Sequence, residues 1–253
     1  DPSRLWLHND SGDDAVLYAL SVEDGRSLGR FLLLGVDAVD FEDIAAGACP
    51  GEPERACLWV ADIGDNGRQR AAVRVHVVPE PPAGASPGPL RPLGAVTLQY
   101  PGGARDAEAL LVAPDGAALW IIDKGGEGGV SQVFEAGGPF DLEGTVALTA
   151  RSTFTAPGVL VTGADLRPDG RQVLVRTYTG TTAFDLDADQ TPADLGEAIT
   201  RTAANGPLSE RQGEAVGYDA DGLSFWTVSE VRGGDDPPDV NRYACEAAAP
   251  LAP

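Results

Sequence analysis

Apolar positions along the chain fall in runs of about six, split by short polar turns, which is the period of strands and not of helices. Residues 106–123 show the unit most clearly: an apolar run ending at Val112, the turn Pro114-Asp115-Gly116, and a second run centred on Trp120. The same strand, turn, strand pattern returns at 161–177 and 212–229, and at 40–62 with a long insertion in place of the turn. Asp-Gly pairs at 115–116, 169–170 and 221–222 mark tight hairpins. Residues 5–9 supply a fifth copy of the second strand alone.

Aligned on that second strand, Trp6, Trp59, Trp120, Leu174 and Trp226 form one column, recurring about every 50 to 60 residues. Third strands are expected at 16–20, 73–78, 130–135, 181–186 and 241–245. Fourth strands are expected at 27–34, 95–100, 145–153 and 198–203. Four antiparallel strands repeated five times predict an all-β fold, a five-bladed β-propeller. Six blades are the alternative and need a further unit; a β-sandwich gives no reason for the column. The whole chain, 1–253, reads as one domain, with blades at about 1–36, 37–103, 104–155, 156–206 and 207–253. The first unit lacks an inner strand, so ring closure is expected to draw on both termini or on residues upstream of Asp1.

Composition narrows the partners. With 43% hydrophobic residues in 253, the chain can build a sizeable core. Its 39 acidic against 18 basic residues give a net charge of −21, which argues against nucleic acid and anionic membrane surfaces and favours divalent cations. No apolar run approaches the roughly 20 residues of a membrane span, so membrane insertion is not expected. Absence of Met and a start at Asp1 predict a processed form from which an N-terminal segment has been removed, secreted, periplasmic or extracellular. A monomer with a small-molecule or carbohydrate ligand is expected. Cys49 and Cys57 sit in one loop and are expected to form a disulfide, the alternative being two inert thiols; Cys245 is free or pairs elsewhere. Two histidines, His8 and His76, make zinc improbable.

In a propeller the start of each inner strand and the end of each second strand meet at one mouth of the channel. The first column reads Glu42, Glu108, Thr162, Glu214, and the second Asn9, Asp62, Asp123, Thr177, Ser229. Residues 108 and 123 are equidistant from the 115–116 turn and are expected to pair directly. Such a ring of oxygens suits Ca²⁺, with Asn9, Glu42, Asp43, Asp62, Glu108, Asp123 and Glu214 as candidate ligands. The ion is expected first between 40–43 and 62–66, with 10–14 as a second place. Flanking positions bring His8, Asp10, Lys124, Arg176, Tyr178 and Glu230 to the same mouth: His8 as a general base, Arg176 and Lys124 as holders of an anionic group. The alternatives are a structural histidine, a salt bridge from Lys124 to a ring carboxylate, and a ring that only satisfies strand ends.

At His8-Asn9-Asp10-Ser11-Gly12, 40–45, 62–66 and Val78-Pro79-Glu80-Pro81 the chain resembles a family of secreted bacterial β-propeller proteins. It is more distantly similar to calcium-dependent lactonase and gluconolactonase propellers and, in acidity, to propeller phytases. That resemblance implies Ca²⁺-assisted hydrolysis of an ester, lactone or phosphoester, though five blades stand where those relatives have six and the basic cluster of a phytase is missing. Two other functions are weighed against it: a non-catalytic extracellular binding propeller with structural calcium, and a metal-free biosynthetic enzyme using the acidic channel for proton transfer.

Overall fold

The structure is a computed structural model that describes residues 1–10, 12–158, 160–202, 210, 212–230 and 239–245. It is a five-bladed β-propeller with almost no helix. Blade 1 holds β1 (Arg4–His8), β2 (Val16–Ser21) and β3 (Ser27–Leu32); blade 2 begins with β4 (Phe41–Cys49), β5 (Glu52–Asp62), β6 (Val73–Pro79) and β7 (Gly94–Gln99). Blade 3 contains β8 (Ala107–Val112), β9 (Ala118–Asp123) and β10 (Val130–Gly137), after which the chain forms β11 (Thr145–Ala147) and β12 (Thr149–Thr155). Blade 4 is β13 (Val161–Leu166), β14 (Gln172–Thr177), β15 (Gly180–Asp185) and β16 (Ile199–Thr202); blade 5 is β17 (Gly213–Tyr218), β18 (Ser224–Ser229) and β19 (Val240–Ala244).

Each second strand carries its Trp or Leu where expected. Because successive side chains point to opposite faces, Trp59 packs toward blade 3 while Leu58 and Val60 pack toward blade 1. Apolar clusters built this way fill four seams between neighbouring blades, the largest around Trp59, Leu110 and Phe134. The inner strand β8 is buried at all six residues, as a strand covered on both faces must be. Indole N–H groups of the column are tied to neighbours: Trp6 to Glu80, Trp59 to the Ala48 carbonyl, Trp120 to Glu135 and Trp226 to Asp219.

One expected strand is two. Residues 145–147 leave blade 3 and add to β7 in parallel as a fifth strand of blade 2, whereas 149–155 complete blade 3 against β10. Leu148, buried between them, donates its N–H to the Gln99 carbonyl, so the break exchanges one sheet for the other without orphaning the backbone. The strand expected at 198–203 runs from 199 to 202, and residue 203 lies outside the described residues, as does Ser11 of the 10–14 loop. The disulfide Cys49–Cys57 is formed and buried at the closed end of the β4–β5 hairpin, and Cys245 is a free, exposed thiol. Among the described residues no helix is long and apolar enough to cross a membrane.

Candidate cation site and acidic channel mouth

The inner strands do not meet their partners in unbroken register. Phe41 lies opposite Asp62 and Asp43 opposite Ala61, so β4 holds one extra residue at Glu42. The same shift falls at Glu108, at Thr162 and at Glu214. It is Ala107, not Glu108, that faces Asp123, which corrects the direct pairing expected across the hairpin. A bulge frees a side chain from strand alternation and re-aims it. Four blades therefore present their ring residue in the same way. Thr162 is already satisfied, donating to the Gly213 carbonyl at 2.8 Å.

Around Glu42 the carboxylates close up. Asp10, Asp40 and Glu42 each offer an oxygen, and these oxygens lie within 4.8 Å of one another. Gly64 makes the approach possible, for a Cβ there would stand 2.0 Å from Glu42 Oε1 and 2.4 Å from Asp40 Oδ2. Asp40 Oδ1 is buried with no hydrogen-bond partner. Burial and the Asp10 charge push Asp40 up to about 6. Burial, then Glu108, Asp40 and Asp10, drive Glu42 far above the carboxylate range. Oxygens this crowded, one of them orphaned, fit a hard cation.

The neighbouring part of the mouth is an acid and amine network. Lys124 Nζ donates to Glu108 Oε1 at 2.7 Å and stands 5.8 Å from the Tyr178 ring centroid. Burial lowers the Lys124 pKa, but the Glu108 hydrogen bond and charge outweigh it and hold the ammonium charged. Gln212 bridges Glu214, at 2.6 Å, and Glu230. Burial, opposed by the Gln212 bond, leaves Glu214 at about 7. Burial also lowers His8, against the Asn9 carbonyl and Asp10, so its imidazole is neutral at pH 7; the ring meets Phe41 edge-on at 5.9 Å.

Other expected site residues have structural partners instead. Asn9 spends its amide on Asp13 and Tyr18. Asp62 accepts the Asp40 and Val39 N–H groups and pairs with Arg70 at 2.8 Å, which with His76 outweighs burial and lowers its pKa. Asp123 accepts the Gln132 N–H and faces Arg105. Asp43 points across the channel, accepting N–H groups from Ile44, Leu110 of β8 and Ala164 of β13, and burial keeps its pKa well up. Arg176 is buried in an ion pair with Glu210 and packs against Gly213, so it is not available to a ligand.

Sequence reasoning placed Asp10 among reactive groups and left Asp40 out of the ligand set, although the density of acids at 40–43 marked the place. Gln212 and Glu210 carried no such signal, since their roles depend on which blade edge faces them. Compared with known proteins, the chain matches no family model and no curated protein.

Proposed function

We propose that the protein is an extracellular calcium-binding propeller in which Asp10, Asp40 and Glu42 hold the ion at the channel mouth, and that the mouth hydrolyses an ester, lactone or phosphoester. The observation that carries this reading is the buried, unpartnered Asp40 Oδ1 within a three-carboxylate cluster. The buried Cys49–Cys57 disulfide fits an oxidising compartment. When bound, Ca²⁺ supplies Lewis-acid polarisation of a carbonyl or phosphoryl oxygen. The chain's own groups do the rest. His8, neutral at pH 7, can take a proton from water, Glu214 and Glu108, both raised to about 7 chiefly by burial, can hold or release one near neutrality, and Lys124 donates to Glu108 and balances the charge of the mouth.

A second reading, proton-transfer chemistry without a metal, is favoured by Glu214 and Glu108, whose affinities for a proton are centred near neutral pH. A panel of aryl esters, lactones and phosphoesters separates the two. Hydrolysis that EDTA abolishes, Ca²⁺ restores and Glu108→Gln lowers at least tenfold supports the first; activity indifferent to EDTA supports the second.

A further inference from the structure

Glu108 neighbours the carboxylate cluster without joining it. Glu42 and Glu108 fill the same bulge position of two adjacent inner strands, β4 and β8. Their carboxyls are in hydrogen-bonding contact, so an ion held by Glu42 has Glu108 beside it. Yet the oxygens gathered within 4.8 Å of one another belong, among the described residues, to Asp10, Asp40 and Glu42.

Lys124 is what holds Glu108 aside. Its ammonium donates to Glu108 Oε1 at 2.7 Å, with both side chains largely buried, and among the described residues it is the one cation paired with that group. The lysine is itself fixed. It follows β9 directly, its N–H donates to the Asp106 carbonyl at 2.9 Å, and its own carbonyl accepts the N–H of Val161, the first residue of β13, at 3.0 Å. The ammonium stands over the ring of Tyr178, in blade 4, 5.8 Å from the centroid. An amine tied to two blades in this way does not travel with Glu108 toward an ion at Glu42. Lys124 is also the chain's single lysine.

Coordination chemistry gives the arrangement a consequence. Ca²⁺ takes about six to eight oxygens, and its affinity follows the number of charged ligands. A Lewis-acid ion also needs a coordination position left for the oxygen it polarises. Resting on the calcium reading above, we propose that Lys124 sets the affinity and the coordination of the site: by holding Glu108 it keeps a fourth carboxylate off the ion and leaves that position to a substrate oxygen. The ion is then held by Asp10, Asp40 and Glu42 tightly enough to stay and openly enough to act.

The test titrates the chelated 253-residue protein and Lys124→Gln with Ca²⁺ and with Tb³⁺, whose luminescence lifetimes in H₂O and D₂O count the waters on the ion. Lys124→Gln is expected to bind both ions at least tenfold more tightly and to carry about one water fewer on Tb³⁺, because the released Glu108 joins the shell. Adding Glu108→Gln to that variant is expected to return both readings to those of the unaltered protein. Should Lys124→Gln melt early in EDTA, Lys124→Met, which keeps an apolar stem on Tyr178, takes its place. Equal or weaker binding in the lysine variants overturns the proposal. So does tighter binding with an unchanged water count, which means that Lys124 acts through its charge alone. An unaltered protein that binds neither ion removes the calcium reading and this proposal with it, whereas binding there that the lysine variants leave unchanged removes this proposal only.

Discussion

Glu42, Glu108 and Glu214 share one backbone device, the extra position of a bulge, and one consequence: carboxyls held close together at a partly dry channel mouth. Their raised proton affinities set a pH dependence with a definite sign. A carboxyl whose folded pKa exceeds its unfolded value stabilises the fold below the unfolded pKa, and that contribution is lost as pH rises through the folded value. With Asp40 at about 6 and Glu214 at about 7, the chelated protein is expected to lose melting temperature between about pH 4.5 and 7.5. Asp62 works in the opposite sense, its lowered pKa giving stability that is lost in acid. A melting curve measured against pH should slope down through this window, less steeply in Glu214→Gln; a flat profile contradicts the assignment. None of this coupling is visible in the residue order. The columns located the acids, but a bulge leaves strand alternation looking unbroken in sequence, so the aim of Glu108 was not legible.

At the scale of elements, strands were readable because each carries a full apolar run and a hairpin signal, as 106–123 does. The division of 145–153 was not, since its cause is the neighbouring edge of β7, which captures 145–147. Asp43 was misread for a related reason: its partners, Leu110 and Ala164, belong to two other blades. The β4–β5 hairpin is the most elaborated element, with its disulfide buried beneath the closed end and its indole at Trp59 bonded to Ala48. Closing a loop of this separation limits the unfolded chain by about 2–3 kcal/mol. Replacing both Cys49 and Cys57 by Ser is expected to lower stability by about that amount in urea unfolding. An unchanged midpoint shows that the bond adds nothing to the packing around Trp59.

For the whole molecule, the repeat made the five-bladed ring legible from 253 residues, because every blade repeats one buried column and the seams depend on it. The net charge of −21 acquires a partial location: Asp10, Asp40 and Glu42 concentrate acid at one mouth, where it opposes the packing of blades 1 and 2. A cation that relieves this repulsion binds the folded state selectively and raises its stability by mass action. Isothermal titration of the chelated protein with Ca²⁺ at pH 7 tests that most directly, run beside Asp40→Asn and Gly64→Ala. The account predicts saturable binding near one ion per chain, with release of protons, weakened at least tenfold in both variants while their folds persist. No binding heat in the unaltered protein, or equal affinity in all three, contradicts it.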